Sequence, residues 1–131
     1  MVLNYDDNDF VIIYILEEDM FGNTLYQYFP EEDDVMYIDC KCTSRYYIII
    51  QLKMATFNND DDDNNILYKR FSISTKSSED DNFITYPFFF NYNQDLNRIP
   101  VTLRNDILIL QLYCNKKLIK DISFNIKYMN R

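Results

Sequence analysis

Residues 117–128, KLIKDISFNIKY, alternate apolar and polar side chains. Ile122, Phe124, Ile126 and Tyr128 fall on one face, with Ser123, Asn125 and Lys127 on the other. Successive side chains of a strand point to opposite sides of a sheet, so a period of two over this length specifies a strand with one buried and one wet face. The preceding run, DILILQLYC at 106–114, behaves differently. Leu108, Leu110 and Leu112 share one face, while Ile107, Ile109 and Tyr113 make the opposite face apolar too. The runs at 10–16 (FVIIYIL) and 46–53 (YYIIIQLK) are also apolar on both faces. A sandwich of two sheets ordinarily leaves its outer faces polar, so this surplus needs a cover. The segment 20–38 folding across the sheet is the expected cover, and a partner protein is the alternative.

Further β-branched and aromatic runs occur at 25–29, 35–40, 66–75 and 83–92, separated by Asn- and Asp-rich connections. Gly22 is the only glycine, so turns requiring positive φ fall to Asn and Asp. Helical periodicity is absent. The pattern predicts an all-β fold: an antiparallel two-sheet β-sandwich of about eight strands, one domain over residues 1–131, with NNDDDDNN at 58–65 as an exposed acidic loop.

Charge narrows the partners. The chain carries −8 overall. Residues 1–63 hold 15 Asp/Glu against 3 Lys/Arg, whereas residues 64–131 hold 6 against 10. A nucleic-acid groove needs the opposite overall sign, and an anionic membrane is disfavoured unless a local basic patch reverses the field. The start, MVLNYDDNDF, is acidic where a secretory signal is basic and then apolar, and the seven residues of FVIIYIL fall far short of a spanning helix. Three cysteines and no Asn-x-Ser/Thr acceptor fit a reducing compartment. The expected location is the cytoplasm, either peripheral to a membrane or within a larger assembly. The bias toward Ile, Tyr, Phe, Asn and Asp suggests an AT-rich genome, as in some protists and large DNA viruses.

Catalytic chemistry is sparse. With no histidine, His-based triads, Cys–His dyads and His-containing zinc patterns are all excluded, and one glycine cannot build a phosphate loop. Cys40, Cys42 and Cys114 with Asp39 could form a metal set, but one short-spaced pair reads far better as core packing. Asp60-x-Asp62-x-Asn64 opens like a calcium loop, yet Asn65 replaces the glycine and Phe71 the bidentate glutamate. No cofactor, metal site or small-molecule substrate is expected, and the chain is read as not an enzyme. Aromatic anchors are the other signal. In 83–92, Ile84, Tyr86, Phe88, Phe90 and Tyr92 share one parity, leaving Phe83 and Phe89 opposite, and Pro87 marks an edge or bulge.

From about residue 44 onward the order of features resembles a C2 domain, the eight-stranded sandwich known for calcium-dependent phospholipid binding. SRYYIIIQL (44–52), YKRFSISTKSS (68–78), FITYPFFFNY (83–92), NDILILQLY (105–113) and KLIKDISFNIKY (117–128) carry the likeness. Calcium-binding members hold ions with aspartates in the first and third loops at one end. Here Arg45 stands where the first-loop aspartate would be, Tyr46 replaces a proline, and the third loop has shrunk to Cys114-Asn115-Lys116-Lys117. Lys120 replaces a glycine. The resemblance therefore implies a degenerate, calcium-independent member serving as a protein-interaction or scaffold module.

Two functional readings follow. The first is a non-catalytic C2-like module binding a protein partner within a larger assembly. The second is a membrane-docking module, with lipid as its ligand, or a host-directed or virion protein of a large DNA virus. Candidate contact residues are Lys116, Lys117, Lys69, Arg70, Lys76, Phe83, Phe89, Ile107, Ile109 and Tyr113.

Overall fold

The three isoleucines at 48–50 are all buried, none more than 1% exposed, although consecutive strand residues point to opposite faces. They belong to a computed structural model that describes residues 10–30, 34–39, 43–53, 67 and 69–129. Nine strands are formed among these: β1 (Val11–Glu18), β2 (Thr24–Tyr28), β3 (Met36–Asp39), β4 (Arg45–Leu52), β5 (Phe71–Ser77), β6 (Ile84–Phe88), β7 (Leu96–Val101), β8 (Ile107–Cys114) and β9 (Lys117–Met129). They make a four-stranded sheet, β2-β1-β4-β7, and a five-stranded sheet, β3-β9-β8-β5-β6. Among the described residues there is no helix long and apolar enough to cross a membrane.

The core lies between the sheets. Val11, Ile13 and Ile15 of β1 and Ile48, Ile50 and Leu52 of β4 meet Phe71, Ile73, Leu110, Leu112, Phe124 and Ile126 of the other sheet. As the alternation requires, Leu108, Leu110 and Leu112 are buried while Ile107 is exposed and Ile109 and Tyr113 are half-buried. At one end of the sandwich Phe10, Phe71, Phe88 and Phe90 interlock, with Phe71 stacked on Phe88 at 5.5 Å and edge-on to Phe90 at 5.3 Å. Offset and edge-on geometries suit the ring quadrupoles.

The fold departs from the sequence expectation in several ways. There are nine described strands rather than about eight, because β7 was not anticipated. Its sequence, LNRIPV, is interrupted by Asn97, Arg98 and Pro100, yet an edge strand tolerates proline, since its outward N–H has no ladder partner. The sandwich is not wholly antiparallel: β3 pairs parallel with β9, Met36 opposite Ile126. Among the described residues of the run at 66–75 the strand begins at Phe71, and that at 83–92 is a strand only over Ile84–Phe88, so Phe83 and Phe89 flank β6 and Tyr92 is exposed.

The described residues of segment 20–38 do not fold across the sheet either. They supply an edge strand to each sheet, β2 to the first and β3 to the second. Among the described residues of this segment only Phe29 turns onto the outer apolar face, where its ring lies 4.9 Å from Tyr14. There Tyr14, Leu16 and Ile49 form a second buried cluster with Ile12, Tyr47 and Leu96 around it. Arg98 of β7 finishes this face. Its guanidinium stacks 4.3 Å over the Tyr47 ring and reaches Glu18 of β1 at 2.6 Å. Glu18 is 8% exposed, so a buried carboxylate is matched by a charge spanning three strands.

Truncating Leu110 or Phe124, 0% and 2% exposed, to alanine is expected to cost about 2–5 kcal/mol in urea unfolding. Arg98→Ala should cost on the order of 1.5–3 kcal/mol, the range for a hydrogen bond to a charged group, since it strands Glu18. A change under half of the lower figure would mean that Glu18 is solvated without Arg98.

Candidate functional site

The β8–β9 hairpin closes in two residues, Asn115 and Lys116, with φ of 50° and 70°. Both central residues of this tight turn are left-handed, the geometry that matches the right-handed twist of the flanking strands. Asn tolerates that region, but Lys at φ 70° is strained where glycine would not be. The turn is clamped from the neighbouring strand: the Asn115 N–H donates to the Arg70 carbonyl at 2.8 Å. That bond brings Lys69 and Arg70, just ahead of β5, beside Lys116 and Lys117. The Cys114 thiol registers the same proximity. Burial pushes its pKa up, while the Lys69 charge pulls it down.

A groove runs from Lys69 and Arg70 along Phe71, Pro87, Phe88 and Phe89 to Gln94 and Asn97. Phe89, 50% exposed, stands on its rim. The Asn97 side-chain amide donates to the Phe89 carbonyl at 3.2 Å and accepts from Gln94 at 2.8 Å, so the wall is braced from β7. The sandwich thus has a basic, aromatic end built from the 69–71, 87–89 and 115–117 segments.

The opposite end is organised by a carboxylate. Asp106 accepts from the Ser77 and Ser78 hydroxyls and from the N–H groups of Glu79 at 3.0 Å and Ile107 at 2.7 Å. The serine hydroxyls above all, helped by the two N–H donors, hold its carboxyl well below the usual aspartate range against an opposing desolvation. Arg104 pairs with Asp80 nearby, and a crevice between β6 and β7 lies beneath them.

The predicted contact residues therefore divide. Lys69, Arg70, Lys116, Lys117 and Phe89 come together, with Tyr113 next to the tip. Lys76 sits toward the other end of β5, its ammonium 5.2 Å from the Phe83 ring centre and bonded to the Asp80 carbonyl at 3.2 Å. Ile109 pairs with Lys76 in the ladder, and Ile107 joins the Asp106 end. Ile107, Ile109 and Tyr113 lie among Ser72, Ser74, Ser123 and Asp121 and do not form a continuous apolar surface.

Arg45 needs a correction too. It begins β4 opposite Glu18, at the Val101 end of the first sheet, whereas Cys114 lies at the far end of β8. Arg45 and the lysine tip thus stand at opposite ends, and the cations beside the tip are Lys69 and Arg70 instead. Cys40, Cys42 and the acidic run 58–65 lie outside the described residues. Among the described residues no group of three or more Cys, Asp or Glu is placed to hold a metal ion.

Two features escaped sequence reasoning: the Arg98–Tyr47–Glu18 strap and the Asp106 cap. Each joins residues that are remote in the chain, and no local spacing signals either. The comparisons add no relative: no protein-family model matches the chain, and no curated protein matches its sequence.

A depressed carboxylate pKa adds stability that is in place above the unfolded-state value, about 3.9 for aspartate, and is lost as the pH falls below it. Wild-type urea midpoints should thus drop more steeply from roughly pH 4 to pH 2 than those of Asp106→Asn. Parallel curves would show that the cap does not survive in solution. At the tip, Lys116→Gly should raise stability by about 0.5–1 kcal/mol by relieving its positive φ, measured as a higher urea midpoint.

Proposed function

We propose that this protein is a non-catalytic, calcium-independent interaction module, C2-like in architecture, that binds an acidic protein partner through its basic, aromatic end. One observation carries the reading. A chain of net charge −8 gathers Lys69, Arg70, Lys116 and Lys117 from two distant segments beside an exposed phenylalanine and a groove. On such a chain, a local positive field over apolar surface recruits one class of ligand rather than anions at large. Aromatic and Arg side chains are also the usual energetic anchors of interfaces.

The C2-like assignment is supported by order: the five resembling segments become β4, β5, β6, β8 and β9 in sequence. The resemblance likens the lysine tip to a loop where that family gathers aspartates, but Arg45, likened to the companion loop, lies at the other end of the sandwich. Calcium independence therefore rests on the tip alone, where two cations beside an ion disfavour its binding by Coulomb repulsion. A protein partner is preferred to lipid because Lys69 and Arg70 line a groove together with Phe71, Pro87, Phe88 and Phe89, a concave aromatic surface that suits a protein side chain better than a plane of headgroups.

Lys116→Glu combined with Lys117→Glu should change stability by less than about 0.5 kcal/mol, both positions being exposed. The same double variant should lose the partner that wild type co-purifies from its native source. Pelleting with vesicles containing phosphatidylserine, with and without the reversal, distinguishes lipid: charge-dependent pelleting with an unchanged co-purification profile overturns the protein-partner reading. Millimolar calcium is expected to leave the melting temperature within error. A chelator-reversible rise of several degrees would contradict calcium independence.

A further inference from the structure

β7 ends the first sheet and β6 the second, and each carries a proline, Pro100 and Pro87, that keeps its edge from pairing with a further strand. Between these edges, toward the Asp106 end, lies a crevice of about 360 Å³, within the size range of small-molecule sites. Its walls are Tyr86 of β6 and Pro100 and Val101 of β7. Its floor reaches the core, where Leu108, Ile126 and Thr75 are all buried.

Thr75 is out of place on that floor. It shares the inward face of β5 with Phe71 and Ile73 and lies opposite Leu110 in the ladder, yet it carries a hydroxyl. Thr75 is 7% exposed, and among the described residues its Oγ1 is the one buried side-chain polar atom with no hydrogen-bond partner. The preceding hydroxyl is satisfied, since Ser74 bonds Thr85 at 2.8 Å. Valine would fill the same volume without an unpaired polar group, so the hydroxyl costs stability where it stands. The charged residues lining the crevice are, by contrast, all engaged. Arg104 pairs with Asp80, Lys76 donates to the Asp80 carbonyl at 3.2 Å, and Asp106 accepts from the Ser77 and Ser78 hydroxyls and from backbone N–H groups. Lys76 and Arg104 balance Asp80 and Asp106, so these charges sum to zero.

We propose that this crevice binds a small uncharged molecule, an apolar ring system bearing a single hydroxyl or carbonyl group. The ring body lies between Tyr86 and the Pro100–Val101 wall, over Leu108 and Ile126, and the polar group hydrogen-bonds the Thr75 hydroxyl. Oγ1 is shielded by its packing, and one step between staggered χ1 wells brings it to the ligand. Both parts of the ligand follow from the lining. Apolar walls favour an apolar body, and an orphan hydroxyl favours one polar atom set against it. A charged ligand finds no counter-charge, because each lining cation and carboxylate already has its partner. The site uses none of the residues of the basic end and stands independently of the partner proposed there.

The test is a titration of the isotope-labelled full chain with para-cresol, read from backbone amide shifts. Saturable shifts should be confined to Thr75, Tyr86, Leu108, Ile126 and the segment 101–104. Thr75→Val should weaken para-cresol by about three- to tenfold, the worth of one hydrogen bond, while leaving toluene unchanged and raising the urea midpoint. Thr75→Ser keeps the hydroxyl and should keep the affinity. The matched anion, para-toluenesulfonate, should leave the crevice amides unshifted. Shifts that never saturate, or that gather elsewhere on the chain, overturn the proposal. So does a Thr75→Val variant that binds para-cresol as wild type does, or a sulfonate that binds the crevice equally well. A lowered urea midpoint for Thr75→Val would show the hydroxyl already partnered within the chain, and overturns it too.

Discussion

The architecture depends on the burial of three consecutive isoleucines at the centre of the first sheet. Because Ile48 and Ile50 face the second sheet, Ile49 faces away from it, and leaving that apolar side chain in water would forfeit about 1.5–3 kcal/mol. The outer face has to be closed, and the strands around β4 are arranged to do so. β1 brings Tyr14 and Leu16, the residue after β2 brings Phe29, and β7 lays Arg98 across Tyr47 to Glu18. An arginine suits the last position because its planar cation covers a ring with one face and satisfies a carboxylate with its edge. The first sheet is thus covered on both sides, whereas the second keeps the usual polar exterior of Ser72, Ser123 and Asn125.

The two ends of the sandwich are finished by opposite chemistry. At one, a carboxylate gathers serine hydroxyls and backbone N–H groups to hold the 77–79 turn against the start of β8. At the other, a strained two-residue turn is clamped to β5 by a backbone hydrogen bond, with cations displayed around it. The first arrangement consumes its polar groups internally and serves the fold. The second places Arg70, Lys116 and Lys117 at the surface near an aromatic groove, the arrangement on which the proposed protein contact rests.

Much of this was legible from residue order. Alternation in 106–114 and 117–128 identified Leu108, Leu110, Leu112, Phe124 and Ile126 as buried. Tyr128 on the same face is nevertheless exposed, and Ile119, of the opposite parity, is buried near the register shift in the hairpin. The two-faced runs announced that an outer surface needed covering. The site was half legible. The lysine tip stood out because its neighbours are strands, but Lys69 and Arg70 joined it only once β5 lay beside β8. Lys76 and Phe83, equally plausible by composition, proved to belong to a different end. β7 was missed because a proline and an arginine mask a strand whose outer edge faces solvent, where a lost N–H costs little.

What the sequence alone determined is therefore the local alphabet of this protein: strands with specified faces, turns left to Asn and Asp, no histidine chemistry, and a negative chain with a basic second half. Side-chain period and residue chemistry are local properties, readable a few positions at a time. Which strands become neighbours is not. Pairing β5 with β8 brought Arg70 to Asn115, pairing β3 parallel to β9 used a segment expected as a cover, and the end-to-end separation of Arg45 from Lys116 followed from strand direction. Those choices rest on the summed burial of two sheets closing on one core. No short stretch of chain contains that quantity, so only the tertiary structure could decide them.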